Sequence, residues 1–153
     1  MADISPLALS KHFTDLINRA VSFSIMTSAL DSKAKQVFGV YTVFPAQTSL
    51  VVRADLGLLG SFAGALVGLP DSEVKEHLKT TPIEELLRDA ISEVFNVASA
   101  VIAAEGRAVF DMMVLDRLFI RGEADKMMKK PFHRSYYNVS VEGYQGGRFS
   151  IFS

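Results

Sequence analysis

Apolar residues recur every three or four positions in three parts of the chain, which is the spacing of a helix with one buried face. The first part begins at the Ser-Pro pair of residues 5–6, where a capping hydroxyl precedes a proline suited to the first turn. We expect this helix to end at residues 21–23. The second begins at Asp55, which can cap it, and ends at Gly68. The third covers residues 81–104 and is the longest of the three.

The third segment has the clearest helix start in the sequence. Thr81 and Glu84 have the spacing of a capping box, Pro82 stands where a first turn favours proline, and Gly106 follows the expected end. At about 100° per residue, the apolar residues of this segment are predicted to fall on one arc. We expect the buried arc to contain Leu86, Ala90, Val94, Val97, Ala98 and Val101.

Five other segments alternate between apolar and polar residues or are rich in Val, Phe and Tyr, and both features predict β-strands. The first two are separated by Pro45-Ala46-Gln47 and should form a hairpin. A glycine-rich loop of residues 143–147 is predicted to join the last two. The predicted strands are residues 36–44, 49–53, 107–115, 135–142 and 148–152.

Two segments have weaker patterns. Residues 71–80 are charged and are expected to be a connection, and residues 123–130 are open between a loop and a short helix that Pro131 would close. The predicted order is therefore helix, two strands, two helices and three strands (α-β-β-α-α-β-β-β). This order predicts an α+β fold in which an antiparallel sheet is flanked by long helices. Residues 1–153 are expected to form a single domain.

The composition limits the classes of function. An apolar fraction of 49% and a charged fraction of 22% are ordinary for a globular protein, and a net charge of −1 argues against nucleic-acid binding and acidic membranes. The absence of cysteine excludes disulfides, a thiol nucleophile and cysteine metal sites. The start has no secretory pattern, and the longest uncharged run, residues 56–70, is too short and too rich in glycine to span a membrane. We therefore expect a cytoplasmic protein.

Three polar residues of the third helix are predicted to share one exposed stripe. Asp89, Glu93 and Asn96 lie four and three positions apart, so an acid, a second acid and a carboxamide fall on the side away from the buried arc. Such residues commonly fill the solvated face of an amphipathic helix. Whether the stripe is a functional site or only a solvated face has to be judged from its spacing and from the elements around it.

The spacing Asp-x-x-x-Glu-x-x-Asn, on a long helix in a chain of this layout, resembles the motif of the CheC/CheX/FliY family of chemotaxis phosphatases. The preceding helix also fits, because it is rich in glycine; Gly60 and Gly64 are expected to mark close helix packing. Leu59 and Phe62 stand where a second Glu and Asn would be in a two-site member. The resemblance is therefore greatest to single-site CheX, a homodimer.

The resemblance implies a phosphatase that hydrolyses the aspartyl phosphate of a CheY-like receiver domain. Asn96 would orient the attacking water, which suits a carboxamide because it both donates and accepts hydrogen bonds. Glu93 would form an ion pair with a lysine of the phosphorylated receiver, and Asp89 would help docking at the rim. The resemblance implies no cofactor of the protein's own, because the receiver brings its Mg²⁺.

A non-catalytic alternative stays open. Residues 114–119, where the family commonly has a proline, contain none, and the first proline after Asn96 is Pro131. Flagellar-switch relatives have the same fold without the acid–amide pair, so the resemblance also fits a binding or scaffold module in signalling.

Other chemistry has weaker support in the sequence. His12, His77 and His133 lie in three different segments without ligand spacing, so we expect surface histidines and no metal site. No nucleophile elbow or phosphate-binding loop is present. A basic cluster near the end of the chain is expected to be a solvated loop rather than a nucleic-acid site; it contains Lys126, Lys129, Lys130, His133 and Arg134.

Overall fold

The computed structural model describes residues 3–27, 33–80 and 82–153. These segments contain five α-helices, six β-strands and a short 3₁₀ helix, Arg117–Phe119. In chain order the elements are α1 (Pro6–Ile17), β1 (Val21–Met26), β2 (Gln36–Phe44), β3 (Thr48–Asp55), α2 (Leu56–Val67), α3 (Asp71–Leu78), α4 (Glu85–Ala98), β4 (Arg107–Val114), α5 (Gly122–Lys129), β5 (Arg134–Val141) and β6 (Tyr144–Phe152).

The six strands form one antiparallel sheet in the order β1-β5-β6-β3-β2-β4. Strands β2 and β3 pair with each other, and so do β5 and β6, which confirms both predicted hairpins. Strands β1 and β4 lie at the two edges. The α+β class is confirmed, and the sheet gains one strand that the sequence pattern did not predict.

Helices α1, α2 and α4 cover one face of the sheet and build the main core. The rings of Phe13 and Phe62 stack at 4.7 Å between α1 and α2, and the Phe149 ring of β6 lies 5.8 Å from Phe13. Helix α5 covers part of the other face, where Ala124 packs with Val40 and the other residues of a smaller cluster. The sheet is therefore enclosed mainly by α1, α2 and α4, which agrees with an α+β layer architecture.

Helix α3 was predicted as a connection, and this prediction is wrong. Its Val74 is buried, and Val74 and Leu78 lie directly on Gly60 and Gly64 of α2. A Cβ atom at Gly60 would lie 2.6 Å from Leu78 Cδ1 and 3.1 Å from Val74 Cγ1, so a side chain there would force α3 residues to shift. The close packing expected at Gly60 and Gly64 is confirmed, and the polar face of α3 explains why the segment looked like a charged loop.

Helix α1 ends earlier than predicted. It stops at Ile17 because Asn18 takes the left-handed conformation, with φ of 55°, and its N–H donates to the Thr14 carbonyl. The next apolar residues, Val21 and Phe23, are buried as alternate positions of the edge strand β1 rather than as a helical face. The expected helix end at residues 21–23 is therefore wrong.

Helix α4 is shorter than predicted at both ends. It begins at Glu85, so Glu84 is at the N-cap and bonds His77 instead of closing a capping box; Thr81 lies outside the described residues. After Ala98 the backbone tightens, and Ser99 N–H donates to the Asn96 carbonyl at 3.2 Å. The buried arc also differs, because Leu86 is 60% exposed. The buried residues of α4 are Leu87, Ala90, Ile91, Val94, Phe95 and Ala98.

Three smaller predictions are refined. Asp55 precedes α2 as expected but makes no side-chain cap; its carboxylate accepts from Gln36 Nε2 and, at 2.9 Å, from Arg148 N–H. Gly68 ends α2 with φ of 79°, as predicted. The link between β5 and β6 is a two-residue turn, and most of the predicted loop of residues 143–147 belongs to β6.

Candidate functional site

Helix α4 lies over β2 and β4, at one side of the helical layer, and Phe95 fixes it there. The Phe95 ring rests on Gly39 of β2, where a Cβ atom would come within 2.5 Å of its Cδ1. The ring also stacks on Phe110 of β4, with centroids 6.0 Å apart and an interplanar angle of 14°. One side chain of α4 therefore contacts two strands at the residue before Asn96.

The backbone at Phe95 is held as well. In a regular α-helix the Ser99 N–H would bond the Phe95 carbonyl, but here it donates to the Asn96 carbonyl instead. The Tyr41 hydroxyl donates to the Phe95 carbonyl at 2.5 Å. Tyr41 is fully buried, and burial raises the pKa of its hydroxyl, so the group is a neutral donor. The last turn of α4 is thus hydrogen-bonded to β2, a strand with neighbours on both sides.

The other side of this turn contacts α1 through His12. Burial lowers the pKa of His12, while a hydrogen bond with the Val97 backbone and the charge of Asp15 oppose that change. The Nε2 atom of His12 is buried without a hydrogen-bond partner among the described residues. His12 is therefore half-buried at a helix contact, and the expectation of a surface histidine is wrong at this position.

The structure places Asp89, Glu93 and Asn96 on one exposed side of α4. Within the described part of the chain, none of the three side chains makes a hydrogen bond or an ion pair. With a rise of about 1.5 Å per residue, Asn96 lies about 4.5 Å along the axis from Glu93, and Asp89 lies about 6 Å on the other side. The arrangement offers two carboxylates and one carboxamide to an approaching molecule, from a helix that is anchored beneath them.

Two residues that shape this surface, one exposed and one buried beneath it, were not predicted from the sequence. Leu86 is on the exposed stripe, and strict use of about 100° per residue would have placed it within about 20° of Glu93. Tyr41 supports the stripe from below, and no local pattern indicates that contact because β2 and α4 are far apart in sequence.

Helix α2 presents no equivalent surface. Leu59 and Phe62, at the positions that correspond to Glu93 and Asn96, are fully buried. Its glycine face is covered by Val74 and Leu78 of α3. The helical layer therefore exposes the acid–amide pattern on α4 and packs α2 into the interior.

A second polar cluster joins the segment before α1 to the start of β5. Ser135 Oγ donates to Asp3 Oδ1 at 2.6 Å, and His133 Nε2 lies 2.8 Å from the same oxygen. The Ser135 hydrogen bond, aided by His133 and opposed by partial burial, lowers the pKa of Asp3. The same nitrogen of His133 faces both partners, whereas a catalytic triad uses the two different ring nitrogens. The cluster is a structural contact.

The remaining candidates gain no site. No group of three His, Asp or Glu residues within the described ranges is arranged to hold a metal ion. In the basic cluster, Lys126 and Lys129 lie on α5 and pair with Glu123 and Asp125, each at 3.2 Å. Among the helices of the described segments, none has the length and apolar character to cross a membrane.

Comparison with known proteins gives matches in structure alone. No family model matches the chain, and no curated protein sequence matches it. FliY from Thermotoga maritima is similar in structure, with a TM-score of 0.60 at 12% identity over 98% of this chain and 84% of FliY. The FliM middle domain from H. pylori has a TM-score of 0.56 at 12% identity, covering 96% of this chain and 83% of that domain.

A third match is a putative chemotaxis protein from Desulfovibrio vulgaris Hildenborough, with a TM-score of 0.51 at 12% identity over 95% of this chain and 90% of that one. These likenesses, with the antiparallel sheet and its helical layer, define the class: the chain has a fold of the CheC/CheX/FliY type. Among proteins with this fold, the chain is similar in structure to FliY and to the FliM middle domain.

Proposed function

We propose that the protein is a CheX-like phosphatase that hydrolyses the aspartyl phosphate of a CheY-like receiver domain. One observation carries the proposal: Glu93 and Asn96 are exposed and unpaired, three residues apart, on a helix whose last turn is fixed to the sheet by Tyr41 and Phe95. The fold type supports it, because the same layout surrounds the motif in the family that the sequence resembles.

The chemistry asks little of the protein because an acyl phosphate is already activated. A water in line with the P–O bond to the aspartyl carboxylate attacks phosphorus; a new P–O bond forms and the bond to the carboxylate breaks. The receiver's aspartate is regenerated as a carboxylate, and the water's oxygen and both its protons leave in dihydrogen phosphate. Asn96 would position this water by accepting a hydrogen bond from it while donating to a phosphoryl oxygen. The receiver's Mg²⁺, which neutralises phosphoryl charge, would arrive as part of the substrate, and the protein would need no cofactor of its own.

The acids would fix the approach. Glu93 lies about one turn from Asn96, so an ion pair between Glu93 and a receiver lysine would set the distance of the amide from the phosphoryl group. Asp89 would extend the same contact at the rim. Neither carboxylate has an ion-pair partner within the described chain that would need to be displaced.

The test is dephosphorylation of a receiver domain from the same genome, labelled with acetyl phosphate and followed by phosphate release. We expect Asn96→Ala to lower turnover roughly 100-fold, as loss of one positioned polar group does, while Glu93→Ala weakens docking. Asn138→Ala is the matched control, because Asn138 is an exposed carboxamide on β5. Unchanged decay of every receiver of the genome in the presence of the parent protein would contradict the proposal.

The second candidate is a binding or scaffold module without hydrolase activity. The similarity in fold to a FliM middle domain supports it. A second support lies in residues 114–119, the segment that lacks the family's proline: Leu118 is 80% exposed there and is available to contact a partner. This candidate predicts receiver binding without any turnover, in both the parent protein and Asn96→Ala.

Both candidates imply a cytoplasmic protein with a protein partner. We also propose a homodimer, because strands β1 and β4 have one side unpaired within the described sheet. Sedimentation equilibrium would show a mass of one chain if this proposal is wrong.

A further inference from the structure

Leu86 is out of place in the packing of α4. It is 60% exposed, whereas the other leucine, the isoleucine and the phenylalanine of the helix are each about 1% exposed. A single exposed leucine is common on protein surfaces and indicates little by itself. Its position relative to the polar stripe is what gives it meaning.

Leu86 lies on the stripe. Glu93 is seven positions after it, so the two side chains point within about 20° of each other, about 10 Å apart along the helix. Asp89 lies between them, one turn from Leu86. Asn96 is about 15 Å from Leu86 along the axis, so the apolar residue and the carboxamide mark the two ends of one surface.

The charge of this surface is acidic and unbalanced. Glu85, Asp89 and Glu93 are exposed and make no ion pair with any described residue, and Arg88 is the one basic residue that α4 contains. Glu84, just before the helix, pairs with His77 at 2.7 Å. A surface of this kind attracts a basic partner and repels a second copy of itself, since like charges would face each other.

We propose that Leu86 is the apolar anchor of a docking surface that it forms with Asp89 and Glu93, and that its occupant is a receiver domain with a basic surface. The inference rests on the proposed function and names what the receiver must carry: an apolar contact about 15 Å from its phosphoaspartate, with lysine or arginine between the two. Burial of Leu86 against the receiver contributes to the affinity, and the carboxylates of Asp89 and Glu93 orient the bound receiver.

This division of roles has a kinetic consequence. Leu86 is too far from Asn96 to touch the reacting atoms, so its loss weakens the complex and leaves the chemical step intact. If Leu86 is buried in the complex, its contribution to the binding free energy is large enough that replacement by a polar residue raises KM about tenfold.

The experiment compares Leu86→Gln with Leu7→Gln, because Leu7 is a leucine of α1 that is 81% exposed. The probe is each receiver domain of the same genome, phosphorylated with acetyl phosphate for turnover and held in its beryllofluoride form for affinity. We expect Leu86→Gln to raise KM and Kd about tenfold with kcat unchanged. Leu86→Met, which keeps an apolar side chain, should have the KM and Kd of the parent protein, and Leu7→Gln should alter neither value. Since Leu86 is exposed, thermal unfolding should be the same for all variants.

The possible failures are distinct. If the parent protein binds a receiver and Leu86→Gln binds it equally well, the inference is wrong and the proposed function stands. If kcat falls with KM unchanged, Leu86 acts on the chemical step and the docking role is rejected. If the parent protein binds no receiver of the genome, the proposed function and this inference are overturned together.

Discussion

The hydroxyl of Tyr41 donates a 2.5 Å hydrogen bond to the carbonyl oxygen of Phe95, the residue directly before Asn96. Tyr41 belongs to β2, which is paired on both sides within the sheet, so this bond ties the end of α4 to a non-edge strand. The carbonyl is available because the helix tightens after Ala98. The position of the carboxamide is thereby determined by a residue that no solvent reaches.

We predict that Tyr41→Phe lowers the free energy of unfolding by about 1–3 kcal/mol, because it leaves a buried carbonyl without a donor. Under the proposed function it also lowers kcat with little change in KM, since Asn96 loses its fixed position. Urea unfolding and receiver turnover measure the two effects. Tyr144→Phe is the control, because it removes a comparable 2.6 Å bond to a carbonyl outside α4, that of Leu69; an equal loss of kcat in both variants would contradict the positioning role.

A methyl group at Gly39 should disturb the same contact from another direction. Gly39→Ala puts Cβ within 2.5 Å of the Phe95 ring, so we expect a loss of about 1–3 kcal/mol from overpacking and a shift of α4. Gly64→Ala makes a matched clash with Val74 of α3. Both variants should unfold at lower urea concentration, and turnover, measured under native conditions, should fall in Gly39→Ala alone.

The carboxamide itself can be tested by a nearly isosteric change. Asn96→Asp keeps the shape of the side chain but replaces a donor with a second acceptor and adds negative charge next to a phosphoryl group. We expect turnover to fall at least as far as in Asn96→Ala, with normal thermal unfolding because the side chain is exposed. Full activity in Asn96→Asp would show that the amide donor has no role.

His12 should make stability depend on pH. Its pKa in the folded chain lies below the ordinary value of 6.5, mainly because of burial, so the unfolded chain binds the proton more readily. The stabilisation is complete above pH 6.5 and is lost as pH falls through the folded pKa. Urea unfolding at pH 7.5 and 5.5 should show a smaller decrease for His12→Gln than for the parent protein; equal decreases would contradict the prediction.

Asp3 should contribute in a more acidic range. The Ser135 hydrogen bond, with help from His133, lowers the pKa of Asp3, so its stabilisation is present above the model-compound value of 3.8 and is lost as pH falls through the folded value. Asp3 is partly exposed, so the effect should stay below about 1 kcal/mol. Ser135→Ala should reduce the decrease in melting temperature between pH 5 and pH 2.5. A decrease equal to that of the parent protein would be the contrary result.

The elements with strong local patterns were predictable. Strand β2 has the predicted bounds, because Val, Phe and Tyr dominate it and Pro45 follows directly. Helix α2 ends at Gly68 as the glycine indicated. Strand β1 was missed because the helical pattern seemed to continue, although Asn18 could have been recognised as a left-handed helix stop.

The exposure of the three candidate site residues was predictable from the sequence, and the contacts around them were not. Asp89, Glu93 and Asn96 are exposed as a helical pattern requires. The helix end was misplaced because small apolar residues after Ala98 suit a helix, while a tertiary bond from Tyr41 takes the carbonyl that a longer helix would use. Leu86 was assigned to the buried arc because it is apolar, and the structure shows that its angle decides instead.

The glycines under α3 affect how many partners a chain can hold. Because Val74 and Leu78 occupy the space that side chains at Gly60 and Gly64 would fill, α2 is closed to other molecules along that face. Under the proposed function, α4 is then the helix of this layer that contacts the receiver. The complex would contain one receiver for each chain, and its binding curve would show a single class of sites.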